Sequence, residues 1–186
     1  MKTSISMCAW VQREGKRIGI VHVKRAYLRA PTHREIYIKI PAEDAKPGGV
    51  DKVGFLYFSL YGTRDAAQNW EEEYVNFLKG IGFIRGKASP CVFYHQGRSL
   101  RAVVHGDDFT ILGHSQHLDW FRAMISKRYE VKFRGRLGPE DRDDHSVRIL
   151  NRVITWGDSG ITIEPDQRHA EIIVDAVGVR GKKAVA

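Results

Sequence analysis

Val103-Val104-His105-Gly106-Asp107-Asp108-Phe109-Thr110-Ile111-Leu112 is the stretch on which the reading of this chain turns. Two apolar runs flank four residues that favour a turn, the pattern of a β-hairpin. Adjacent carboxylates at such a tip, beside apolar strands, repel each other. A divalent cation relieves that repulsion. Hard, octahedral Mg²⁺ takes oxygen donors and leaves room for substrate phosphates. Gly and Asp are also common turn residues, so taken alone the tetrad reads first as a solvated turn.

Outward from this hairpin the pattern repeats. Residues 91–95 and 100–104 flank Gln96-Gly97-Arg98-Ser99, and residues 147–156 and 161–164 flank Gly157-Asp158-Ser159-Gly160, giving two more candidate hairpins. Short apolar runs at 18–23 (continued by Tyr27 and Leu28), 36–40, 55–60 and 129–133 read as strands, and 42–53 and 134–146 as polar loops. The period changes in two places. Trp70, Tyr74, Phe77, Leu78 and Ile81 recur at three and four, as do Leu118, Phe121 and Ile125 behind a capping Ser115. Glu71–Glu73 suit the positive end of the first helix, and Gly80 and Gly82 end it. Pro165 is read as opening a last helix with Ala170, Ile173 and Val177 on one face. Hairpins interleaved with helices predict an α+β fold with an antiparallel sheet and helices packed on one face.

The chain has 186 residues, enough for one domain or one plus a fragment. Its 42% hydrophobic and 28% charged residues exclude wholesale disorder and fibrous repeats. Lys+Arg number 30 against 22 Asp+Glu, a net charge of +8, which points to a polyanionic partner, nucleic acid first. A basic domain without such a partner is the alternative. Cys8 and Cys91 are too few for a disulfide scaffold or a cysteine zinc cluster, and they fit a reducing compartment. No apolar run reaches the roughly 18 residues of a membrane helix, and residues 1–10 lack a signal core. No membrane association and an intracellular location are therefore expected; no finer address is legible, and Lys182-Lys183 is too short for a nuclear signal.

Several segments together resemble one family. Val21-His22-Val23-Lys24-Arg25-Ala26-Tyr27-Leu28 resembles the first palm motif of reverse transcriptases of copia-type retrotransposons, in which an Asp–Val–Lys-like start leads to an aromatic five residues after the Asp. Residues 36–41 resemble the stretch that follows. Ser59-Leu60-Tyr61-Gly62 running to Trp70 is similar to the second signature, and Gly82-Phe83 with Ser89-Pro90-Cys91-Val92-Phe93 to the next. His105-Gly106-Asp107-Asp108 resembles the metal-binding hairpin, usually Tyr–Val–Asp–Asp. Residues 128–132 with Leu137-Gly138, and residues 166–170, resemble the motifs beyond it. Order and spacing agree from about residue 5 to 178.

The resemblance implies a right-hand polymerase palm that performs RNA-directed DNA synthesis by two-metal nucleotidyl transfer, using Mg²⁺ or Mn²⁺. It implies an RNA or DNA template with primer, deoxynucleoside triphosphates, and the rest of a retrotransposon polyprotein as partners. It makes Asp107 and Asp108 the metal-binding carboxylates, Tyr27 the guard of the sugar 2′ side, Tyr61 and Gly62 the floor under nucleotide and template base, and Lys132 a basic residue near the triphosphate. Lys24, Arg25, His105 and Gly106 fall at nucleic-acid-facing positions. Residues 1–165 are expected to form the palm with a remnant of fingers, and 166–186 the start of the thumb helix with a basic tail, so fingers and thumb are both truncated.

One departure outweighs the matches. Position 22, where the family has its first catalytic aspartate, is His22. Imidazole is a softer, single-point donor and cannot bridge two ions as a carboxylate does. Glu14 and Glu35, the nearest acids, lie outside the matched motif. This copy is expected to be catalytically impaired. The alternative is a non-catalytic, basic nucleic-acid-binding remnant of the same element. A lesser alternative is a transition-metal site that adds His22 and His105 to the two aspartates. Gly106, in place of Val, offers no side chain to the primer end, and Asn151 interrupts the Leu–Gly usual in the family after Leu150.

Overall fold

Arg17–Val23 forms a strand, β1, whose two faces differ in burial partners. In the computed structural model, which describes residues 15–44, 52–150, 152–158, 160–165 and 167–178, β1 pairs antiparallel with β7 (Asp108–Gly113) on one side and β8 (Val131–Leu137) on the other. Beyond β7 lie β6 (Leu100–His105), β5 (Val92–His95) and β4 (Ile84–Arg85), giving a six-stranded antiparallel sheet in the order β4-β5-β6-β7-β1-β8. β9 (Ser146–Ile149), β10 (Arg152–Gly157) and β11 (Gly160–Pro165) make a three-stranded antiparallel sheet, and β2 (Tyr37–Lys39) pairs with β3 (Val53–Phe55). The helices are α1 (Ala66–Gly80), α2 (Ser115–Arg128) and α3 (Gln167–Val177).

Because successive side chains on a strand point to opposite faces, β1 serves two cores. Val21 and Val23 join Phe109 and Ile111 of β7 under Trp70, Tyr74 and Leu78 of α1 and Leu118, Phe121 and Ile125 of α2. Ile18 and Ile20 join Leu112 and Leu137 on the other side, where Val147, Ile149 and Ile154 of the three-stranded sheet cover them. Each fully buried Leu, Ile or Phe in these layers contributes roughly 1.5–3 kcal/mol. α1 and α2 thus pack on one face, and His22, in phase with Ile18 and Ile20, belongs to the other. The α+β reading with antiparallel sheets holds, as do both helical faces.

Several local expectations change. Tyr27 and Leu28 do not extend β1. Arg25 adopts φ +54° and turns the chain into a 3₁₀ turn, Ala26–Arg29, that buries Ala26. The strand expected at 55–60 lies instead at Val53–Phe55, where β2 fixes its register, and Phe58 only bridges to Pro31. Ser115 is the first helical residue of α2, not its cap; His114 holds that position without a side-chain bond, and Ser115 Oγ is buried with no hydrogen bond among the described residues. The segment read as a loop from 134 is strand as far as Leu137, because Val131 and Phe133 alternate with Lys132 and Arg134 along β8. Residues 147–156 are two strands, separated where Leu150 takes φ +49°. Pro165 ends β11 instead of opening α3. The readings of Cys8, Glu14, Asn151 and the tail at 180–183 lie outside the described residues.

Candidate functional site

The acidic turn is built by register. His105 of β6 pairs with Asp108 of β7, which leaves Gly106 and Asp107 as a two-residue loop. Gly106 has φ +60° while Asp107 does not enter the positive-φ region, the pattern of a type II′ hairpin with Gly first. Two contacts hold the loop to the body. The buried Trp70 indole N–H donates to Gly106 O at 2.8 Å, and the Val23 N–H donates to Asp107 O at 2.8 Å. The Trp that closes the second sequence signature is therefore the anchor of the acidic tip, a role its helical spacing does not reveal.

β1 brings His22 to the same place. His22 is the register partner of Asp108 on one side and of Lys132 on the other. Its Nδ1 lies 3.0 Å from Asp108 Oδ1 and 3.6 Å from Asp107 Oδ1. The other oxygen of Asp108 accepts from Arg134 Nη1 at 3.3 Å. All three members are half-buried, with ligand atoms within 4.8 Å of one another. His105 faces the same open cleft, of about 930 Å³, together with Lys132, Arg134, Arg148 and Leu150, but it stands outside this donor group. The four-residue metal set considered from sequence thus reduces to three.

The remaining expected residues fall into two groups. Tyr27 and Tyr61 meet with ring centroids 4.6 Å apart, and Tyr61 is half exposed. Gly62, at φ +89°, lies in the turn that leads into α1, where Thr63 N–H donates to Leu60 O at 3.1 Å. Lys24 and Arg25 are gathered elsewhere. Glu130 accepts from Lys24 Nζ at 3.0 Å and from Arg25 Nη2, and Arg29 approaches to 3.7 Å. Hydrogen bonds from Arg25 and then Lys24 hold the Glu130 carboxyl below the usual glutamate range. Behind the site, burial pushes the Tyr74 hydroxyl up to about 12 and that of Tyr129 further, so both stay protonated donors; Tyr129 OH donates to Glu73 at 3.0 Å.

Sequence reasoning missed Arg134, Arg148 and Glu130. The first had a signal, the period-2 alternation from Val131 to Arg134. The other two become visible only once β8, β9 and β1 are side by side.

A family model described as reverse transcriptase (RNA-dependent DNA polymerase) matches residues 4–139. The chain belongs to this family, as a copia-type reverse transcriptase region. It is 25% identical over 136 residues to the retrovirus-related Pol polyprotein from transposon TNT 1-94 of Nicotiana tabacum, a match covering 71% of this chain and 10% of that protein. It is 27% identical over 118 residues to the putative transposon Ty5-1 protein of Saccharomyces cerevisiae, covering 62% of this chain and 38% of that one. The chain therefore spans well under half the length of these curated relatives.

The reverse transcriptase family implies divalent metal dependence, and the donors at this turn can be tested against it. Holding two Mg²⁺ ions needs carboxylate oxygens that bridge. Here Oδ2 of Asp108 is held by Arg134, and His22 supplies one nitrogen where a bridging group is required. This donor set does not fit a pair of Mg²⁺ ions. No helix among the described residues is long and apolar enough to cross a membrane.

Proposed function

We propose that this chain is the palm portion of an RNA-directed DNA polymerase in which nucleotidyl transfer is impaired while the surface for template and primer is kept. Residues 1–165 supply the palm with part of the fingers, and 166–186 begin the thumb. The observation that carries the reading is the contact of His22 with Asp108 at 3.0 Å, on the sheet face opposite the helices. A polymerase palm needs a third carboxylate at that spot, and the register of β1 delivers an imidazole.

In this reading the residues keep distinct tasks. Tyr27, in the 3₁₀ turn that follows β1, takes the position that guards the sugar 2′ side of an incoming deoxynucleoside triphosphate in the family it resembles. Tyr61, stacked on it, and Gly62 floor the nucleotide and the template base. Lys132, with Arg134 and Arg148 along the cleft, faces phosphates, and Gly106 lets the primer end approach the turn. Lys24 and Arg25 add positive field near the same strand end.

The test is primer extension by this chain and its His22→Asp variant, each with Mg²⁺ and with Mn²⁺. A misplaced metal ligand costs several kcal/mol of barrier, at tenfold in rate per about 1.4 kcal/mol, so the variant should be faster by at least about a hundredfold. Equal, robust extension by both refutes impairment. The second reading, a non-catalytic nucleic-acid-binding remnant, is favoured by the basic lining of the cleft. It predicts no extension by either chain and template–primer binding that weakens steeply with salt.

A further inference from the structure

We propose that His22, Asp107 and Asp108 form a site for one transition-metal dication of the Zn²⁺ kind, in preference to Mg²⁺. The inference rests on the donor set and its spacing, independently of whether the chain polymerises anything.

The geometry carries it in three steps. First, the two edges of the donor triangle that meet at His22 are close to the right length, and all three donors lie within 4.8 Å of one another. With Zn–N and Zn–O bonds of about 2.0–2.2 Å, a tetrahedral ion spaces its ligands about 3.3–3.6 Å apart. The Nδ1 of His22 lies 3.0 Å from one aspartate oxygen and 3.6 Å from the other, so small side-chain adjustments suffice. Second, the donors are pre-aimed. His22 and Asp108 are opposed across a strand pair, and Asp107 is fixed at the II′ turn by the Val23 amide. Arg134 binds the outer oxygen of Asp108 and leaves Oδ1 directed at the imidazole, the outer-shell arrangement that orients ligating carboxylates. Third, the chemistry discriminates. One imidazole with two carboxylates is a borderline-soft, three-point set that leaves a fourth position for water, the count found in open zinc sites. Imidazole favours Zn²⁺, Cu²⁺ or Ni²⁺, whereas Mg²⁺ asks for oxygen and near-ideal octahedral geometry. Two anionic ligands against one dication also remove the repulsion between adjacent carboxylates.

The experiment is calorimetric titration of the full chain with ZnCl₂, with and without excess MgCl₂, together with Co²⁺ titration read by visible d–d absorption. Variants are His22→Ala, Asp108→Asn and His22→Asp, with the double variant His114→Ala/His117→Ala as a control for histidines outside the site; circular dichroism checks that each is folded. Expected results are one Zn²⁺ per chain, no displacement by a thousandfold excess of Mg²⁺, a Co²⁺ spectrum of a low-coordinate site, and at least tenfold weaker binding in His22→Ala and Asp108→Asn. His22→Asp should lose the Co²⁺ spectrum and gain Mg²⁺ binding, and the control double variant should bind as the parent does. Absence of saturable Zn²⁺ binding, undiminished binding in folded His22→Ala, or displacement by Mg²⁺ at comparable concentration would overturn the proposal. None of these outcomes depends on primer extension, so this site and the polymerase reading fail separately.

Discussion

Replacing Trp70 with Phe removes a hydrogen bond by which α1 holds the acidic turn. The indole N–H donates to Gly106 O at 2.8 Å, and the ring is 1% exposed, edge-on to Tyr74 at 5.7 Å and Tyr129 at 5.3 Å. Phe keeps an aromatic body in the same slot but has no donor. Losing the hydrogen bond costs about 1 kcal/mol, and more where the Gly106 carbonyl is left without a partner. The smaller ring weakens two edge-to-face contacts, each worth about 0.5–1.5 kcal/mol. The expected loss is about 2–3 kcal/mol, below the 3–5 kcal/mol typical of truncating a buried Trp to Ala. Urea unfolding of parent and variant measures it. Amide exchange at Val23, whose N–H bonds Asp107 O, reports the turn itself and should accelerate in the variant. Stability within about 0.5 kcal/mol of the parent, the usual scatter of a surface change, with Val23 equally protected, would mean that the strands alone set the turn and that the indole is filler.

Two further perturbations probe the same region. In Gly106→Ala the added Cβ meets nothing within 4 Å, so only the φ of +60° opposes it, at about 1–2 kcal/mol for an L-residue in that region; an unchanged denaturation midpoint would show that the turn relaxes freely. Glu130→Gln releases Lys24, Arg25 and Arg29 from their shared acceptor, so polyanion affinity should rise severalfold at low salt with a steeper salt dependence, as a filter-binding titration will show; unchanged binding would place those cations off the nucleic-acid path. Because the folded Glu130 carboxyl titrates below its unfolded value, its stabilising contribution is complete at neutral pH and fades as pH falls through the glutamate range. The parent should therefore lose more stability than the Gln variant on acidification across that window, and parallel losses would contradict the sign.

What the sequence made legible was what depends on short-range pattern. The alternation around residues 103–112 gave the hairpin, and the three-and-four spacing of Trp70, Tyr74 and Leu78 gave the buried face of α1. What stayed hidden depends on backbone twists that residue type does not announce. Arg25 and Leu150 both adopt positive φ without being Gly, Asn or Asp, and each ends a strand that the apolar pattern would have continued. Charge also misled at β8: Arg134 and Arg136 looked like loop, yet a strand beside an open cleft carries charge on its solvated face as readily as a loop does. At the candidate site the meeting of His22 with Asp107 and Asp108 was foreseen from the resemblance, while the partners that fix their orientation, Arg134 and Trp70, required the register of four strands and the pitch of a helix.

The register also explains how one position can change its chemistry without disturbing the fold. His22 sits near the C-terminal end of β1, half-buried, past the point where Ile18 and Ile20 need cover from the three-stranded sheet. That position lines the open cleft beside Asp108, Lys132 and Arg134, so its identity is set more by what faces it across the strand pairs than by volume. An aspartate there would stand beside two other carboxylates, a like-charge cluster that needs bound cations to be tolerated. The imidazole instead bonds Asp108 directly at 3.0 Å, where a third carboxylate would repel it. A turn tied together by its own side chains and a two-ion site make opposite demands on this residue. Here the first demand is the one met, which is why this donor set suits a single, softer ion.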